Sequence, residues 1–101
     1  MAMDPQQEFS YINKLSNMNA KNWITDWFVQ NTNIQKNEIE KNILEDYFIK
    51  GWIDSLKFIL LISDIEEHFQ INFLNDEFQN RVFSTIDGLA KIIEEKINGQ
   101  I

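Results

Sequence analysis

The residues with the clearest chemical potential sit together in Gly51-Trp52-Ile53-Asp54-Ser55-Leu56. Ser55 offers a hydroxyl directly after a carboxylate, at the point where an apolar periodic segment begins. A helix starting there leaves backbone N–H groups without intrahelical acceptors and carries partial positive charge, so it would favour a phosphate ester on Ser55. Asp54 and Ser55 are also both good helix caps. On pattern alone, ordinary capping accounts for the pair more readily than a modified serine.

Other groupings are weaker. A hydrolase assembled from Ser55, His68 and an aspartate fails on distance: along one helix Ser55 and His68 stand about 20 Å apart, beyond direct proton transfer. Asp64 and His68 share a helix face but do not complete a metal site, and His68 is the chain's single histidine. A solvent-facing pair is the expectation for them. Trp23 and Trp27 have the spacing of core residues, whereas Trp52, just before Ser55, is the better candidate for touching a partner or a prosthetic arm.

Helices must hold these residues in place. One begins near 19–21 and gathers Trp23, Ile24, Trp27 and Phe28 on an aromatic face, with Lys21, Thr25 and Asp26 toward solvent. The polar Gln30-Asn31-Thr32-Asn33 ends it. Residues 34–50 read as a long loop with one or two short turns, returning Ile34, Ile39, Ile43, Leu44, Tyr47 and Phe48 to the core. Gly51 suits a backbone conformation that other residues avoid, and Asp54 caps a helix over 55–69. Its apolar stripe is expected to be Leu56, Ile59, Ile62, Ile65 and Phe69. In the connection 70–76, Ile71, Phe73 and Leu74 tuck inward, and 76–82 forms a short helix. Ser84 or Thr85 then caps a last helix with Ile86, Leu89, Ile92, Ile93 and Ile97 on its apolar face. Three main helices, one short helix and a long first loop make an all-α four-helix bundle. Residues 1–17 form an extension in which Phe9, Ile12 and Leu15 recur at helical intervals. It is either a docked extra helix or an expression remnant, with Met18 as a natural start.

With 101 residues, 44% of them hydrophobic, the chain fits one domain with one modest core and no large catalytic cleft. Nine basic against 16 acidic side chains give a net charge of -7. That balance argues against nucleic acid and anionic bilayers and favours partners with basic patches. The absence of cysteine excludes disulfides and thiolate chemistry and agrees with a cytoplasmic protein. No signal peptide is expected. The run Phe58-Ile59-Leu60-Leu61-Ile62 is too short for a transmembrane segment. A monomer is expected.

The motif, in register with the helices, resembles the attachment region of acyl and peptidyl carrier proteins. Tyr47-Phe48 followed by Gly51 is similar to the aromatic residue and glycine before that family's attachment serine, and Asp54-Ser55-Leu56 to its Asp-Ser-Leu motif. The helix ends in Ile65-Glu66-Glu67-His68-Phe69. Glu77-Phe78 and Val82-Phe83-Ser84-Thr85-Ile86 resemble the third-helix region of D-alanyl and other freestanding carriers. The resemblance covers roughly residues 20–97 and makes 18–101 the carrier domain, with an acyl-carrier-like bundle.

The resemblance implies that Ser55 receives 4'-phosphopantetheine from coenzyme A through a separate phosphopantetheinyl transferase, with Mg2+ serving only that transferase. The arm's thiol would carry an acyl or aminoacyl thioester for a specialised biosynthetic pathway, among them fatty-acid, polyketide, peptide and D-alanine routes. Partners would be an acyl- or aminoacyl-activating ligase and an acyltransferase or synthase; the chain itself would not be an enzyme. Asp54 would act as helix cap and transferase contact, and Trp52, Leu56, Lys57, Phe58, Leu60, Glu66 and Glu67 would meet partners. Many fatty-acid carriers place acidic residues where Lys57 and Leu60 stand here, and a small or polar one near Phe58. Either surfaces built for those carriers fit this chain poorly, or Phe58 and Leu60 pack against the N-terminal extension. The alternative is a non-enzymatic helical interaction module that inserts Phe58 and Leu60 into a partner groove.

Overall fold

The structure, a computed structural model, describes residues 20–99. The expected extension over 1–17, and any packing of Phe58 or Leu60 against it, lies outside the described residues.

Helix α1 (Ala20–Asn31) buries Ile24, Trp27 and Phe28 as its spacing predicts. Thr25 is buried rather than solvent-facing. Its hydroxyl donates to the Lys21 carbonyl at 2.8 Å, which satisfies the polar group without water. The polar residues that follow end the helix by folding back on it. The Asn31 amide and the Thr32 hydroxyl donate to the carbonyls of Trp27 and Phe28, at 2.8 and 2.6 Å.

The expected long loop contains a short helix, α2 (Lys36–Lys41), with Ile39 buried on its inner side. Ile39 and Tyr47 reach the core, but Leu44 and Phe48 are exposed instead of returning inward. Each directly follows a residue anchored inward, half-buried Ile43 or buried Tyr47. In these turns, neighbouring side chains leave the backbone on different sides.

Helix α3 (Ser55–Phe69) has the predicted bounds, capped by Asp54, whose Oδ1 accepts from the Lys57 N–H at 3.0 Å. Gln70, with φ 57°, closes its far end. The predicted stripe is only half right. Leu61, Ile62 and Ile65 are buried, while Leu56 and Ile59 face solvent. At about 100° per residue, five successive apolar residues wrap the whole helix, so a one-sided core cannot cover them all.

After α3, Ile71 and Phe73 are buried, but Leu74 is exposed. The expected short helix over 76–82 is instead two 3-10 turns, Asn75–Gln79 and Arg81–Ser84. Asn80 breaks them apart with an extended backbone and caps the second with its side chain on the Val82 N–H. Thr85, not Ser84, caps helix α4 (Ile86–Gly99), its hydroxyl oxygen accepting from the Gly88 N–H at 3.0 Å. Ile86, Leu89 and Ile93 fill the core from this side.

The result is a compact all-α arrangement of four helices, with no strand among the described residues. Helix α1 lies antiparallel to α3: Trp23 stacks on His68, Trp27 Nε1 donates to Asp64 at 2.8 Å, and Lys57 donates to the Asn31 carbonyl. Asp87 ties α4 to α1 through Lys21 at 3.0 Å and also accepts Lys91 at 3.2 Å. The Lys21 hydrogen bond, aided by Lys91, holds the Asp87 carboxyl below its usual range against partial burial. Among the described residues, no helix is long and apolar enough to cross a membrane.

The first turn of α4 lies flush on the second 3-10 turn, and a Cβ on Gly88 would stand 2.4 Å from the Val82 carbonyl oxygen. Gly88→Ala is expected to cost about 1–3 kcal/mol by overpacking, lowering the thermal midpoint by several degrees. Gly99→Ala, where a Cβ meets nothing within 4 Å, should leave the midpoint nearly unchanged in the same melts.

Candidate functional site

Ser55 is the first residue of α3, and its side chain is exposed. The segment before it is built to deliver it there. Tyr47 donates its N–H to the Ser84 carbonyl at 2.9 Å and accepts from the Trp52 N–H at 3.0 Å. The Tyr47 hydroxyl donates to the Phe83 carbonyl. Burial, with a smaller contribution from the Asp46 carboxylate, pushes the Tyr47 pKa far up, so the phenol stays protonated and remains a donor. Asp46 Oδ1 accepts from the N–H groups of Phe48 and Ile49, at 2.8 and 3.0 Å, and shapes the turn between. Gly51 then reverses the chain at φ 76°, a conformation that side-chain-bearing residues rarely adopt. Ile53 is buried and Asp54 caps α3. The cap uses the Lys57 N–H, which leaves the N–H groups of Ser55 and Leu56 directed at the helix mouth.

A groove of about 320 Å³ runs along α3 from one turn beyond Ser55. Its near wall is Phe58, Ile59, Ile62, Ser63 and Glu66, and its far wall is Phe73, Asn75 and Phe78. On a helical projection Ser55 points within about 20° of the mean direction of that near wall. The hydroxyl and the groove therefore share one helix face. Glu66 is half-buried, and its Oε2 accepts from the Phe73 N–H at 2.9 Å. The far wall is braced from α4, where Lys96 pairs with Glu77 at 2.9 Å and lies over the Phe73 ring. Partial burial raises the Glu77 pKa, but the Leu74 N–H and Lys96 outweigh it and hold the carboxyl below its usual range.

The other expected site residues divide among several environments. Phe58 is half-buried in a ring cluster with Phe48 at 5.2 Å, Phe78 at 5.9 Å and Tyr47 at 6.4 Å. Trp52 is half-buried, edge-on to Phe28 at 5.9 Å. Lys57 places its ammonium on the Asn31 carbonyl, where it complements the negative end of α1. Leu56 and Leu60 are exposed on the side of α3 away from the core, and Glu67 is exposed near its far end. Asp54, Ser55, Leu56 and Lys57 thus meet at the helix start, and the groove that begins one turn beyond Ser55 reaches Glu66 but not Glu67. Asp64 and His68 are not a pair. Each is exposed, yet each grips a tryptophan of α1. Among the described residues no group of three or more His, Cys, Asp and Glu side chains could hold a metal ion.

The far wall of the groove and the Tyr47–Phe83 lock have no local sequence signal: the wall comes from the non-periodic segment after α3, and the lock joins residues 36 positions apart. The near wall was readable, since Phe58, Ile59, Ile62 and Glu66 recur at helical steps from Ser55. No family model, curated protein or solved structure matches this chain.

Removing the cap tests the site's local support. Asp54→Ala is expected to cost about 1 kcal/mol and to speed amide exchange in the first turn of α3, most at Lys57. Exchange there matching the native rate would contradict the cap's role.

Proposed function

We propose that this chain is a carrier whose Ser55 takes a 4'-phosphopantetheine arm, loaded with acyl or aminoacyl thioesters by partner enzymes. The observation that supports this most is geometric. An exposed hydroxyl stands at a helix start with N–H groups free to meet a phosphate, and an apolar groove leads away from it on the same face. The arrangement around it agrees with an acyl-carrier-like bundle, in which a long segment leads from the first helix to the modified one.

In the attachment step the Ser55 oxygen forms a bond to the pantetheine phosphorus, the pyrophosphate bond of coenzyme A breaks, and the adenosine bisphosphate leaves. The Ser55 proton passes to a base of the transferase. Mg2+ acts in that transferase. The arm, once bound, supplies the thiol. This chain then presents the arm to a ligase and to an acyltransferase or synthase, with no catalysis of its own. A cytoplasmic setting suits a donor such as coenzyme A.

Leu56, Ile59 and Leu60 are 74%, 59% and 55% exposed, and they favour a second reading, a helical interaction module without an arm. They bear on that reading more directly than any feature of the fold bears on the arm. Its surface would differ from the expected one: Leu60 is free to insert, but Phe58 is held among rings, so Leu56 and Ile59 take its place. Under the carrier reading the same strip is where partners dock.

Incubating the folded protein with coenzyme A, Mg2+ and a broad-specificity phosphopantetheinyl transferase separates the two. Intact mass should rise by one phosphopantetheine on the native chain and stay unchanged on Ser55→Ala. An unmodified native chain beside a modified known carrier overturns the carrier reading and leaves the interaction module.

A further inference from the structure

We infer that Glu66 receives the ammonium group of an aminoacyl cargo, so that the load on Ser55 is aminoacyl rather than plain acyl; this rests on the carrier reading above. Three observations carry it.

The first is reach. Glu66 lies eleven positions after Ser55 on one helix face, about 16 Å along the axis. From Ser55 Oγ to the terminal sulfur the arm has about 14 bonds, and at roughly 1.2 Å per bond of an extended chain it spans about 17 Å. An arm laid along the groove brings its thioester to Glu66. The amino group of an aminoacyl thioester sits just beyond the carbonyl carbon, within range of the carboxylate.

The second is mixed polarity. Phe58, Ile59, Ile62, Phe73 and Phe78 give the groove apolar walls, while Ser63, Glu66 and Asn75 supply its polar groups. A groove with apolar walls and a few converging polar groups orients a ligand that has both characters. Behind it, Phe73, Phe78 and Phe83 pack ring against ring with centroids 5.1 to 5.9 Å apart, so a long alkyl chain has no interior refuge without displacing them.

The third is charge. Glu66 is half-buried, fixed through one oxygen by the Phe73 N–H, and has no cationic partner among the described residues. Lys96, which reaches over Phe73, is taken by Glu77. A carboxylate partly removed from water without a counter-ion gains from a cationic ligand, whereas a neutral alkyl group would desolvate it further for no return.

The test loads the arm with hydrolysis-resistant alanyl and propionyl analogues, which match in size and differ in the ammonium. Loading is confirmed by intact mass. Amide NMR shifts of Ser63, Glu66 and Asn75 are referenced to the same protein with an unloaded arm. On the native chain the alanyl group should dock with about a two- to fivefold higher population than propionyl, and move these amides correspondingly further. In Glu66→Gln, which keeps an oxygen for the Phe73 N–H, the alanyl shifts should fall to the propionyl level. If that variant is unfolded, raising the salt on the native chain serves instead, and the alanyl excess should shrink. Equal shifts for both cargoes, or an alanyl excess that survives both Glu66→Gln and high salt, overturns the inference alone. Failure to gain any arm overturns the carrier reading, and this inference with it.

Discussion

Tyr47 makes three hydrogen bonds at once, and together they tie the second 3-10 turn to the segment that leads into α3. Its N–H and hydroxyl hold the second 3-10 turn through Ser84 and Phe83, while its carbonyl holds Trp52 two residues before the cap. Its ring packs on Phe28 of α1 and on Phe58 of α3. Loss of the hydroxyl alone would strand a buried carbonyl, a cost of about 1–3 kcal/mol. The approach of Asp54 and Ser55 to the helix start and the anchoring of the second 3-10 turn both run through this one residue, by its backbone as well as its side chain. The long segment between α1 and α3 is thus a structural part of the site rather than a passive link.

Helix α3 divides its circumference into three uses. Leu61 and Ile65 bind it to the core, Phe58, Ile59, Ile62, Ser63 and Glu66 line the groove that begins one turn beyond Ser55, and Leu56 and Leu60 stand exposed. The all-round apolar character of this helix stabilises the core with only part of its surface. The remainder gives an acidic protein a local apolar face, and acidic Glu67 and Asp64 lie nearby on the same helix. A partner suited to that face needs an apolar centre with basic groups at its rim.

Features set by adjacent residues were legible in the sequence. Asp54 as cap, Gly51 at positive φ, both ends of α3 and the buried face of α4 follow from local geometry and periodicity. Features set by the partner surface were not. Thr25 is buried because other elements pack over its side of α1, its hydroxyl being satisfied by the Lys21 carbonyl, and Leu56 and Ile59 are exposed because the core covers only one side of α3. The helix Lys36–Lys41 is too short to leave a periodic signal. Asp64 and His68 matched a helix-face pair, but their real partners, Trp27 and Trp23, are some forty positions away in sequence. Of the candidate site, the position of Ser55 was readable, and the groove that gives it a direction was half readable.

Under the proposed function, Ser55 carries a loaded arm in the living cell. Top-down mass spectrometry of the protein purified from its native host tests this most directly. The predicted result is a phosphopantetheine diester localised to Ser55, part of it bearing an aminoacyl group. A population in which Ser55 is uniformly unmodified would contradict it.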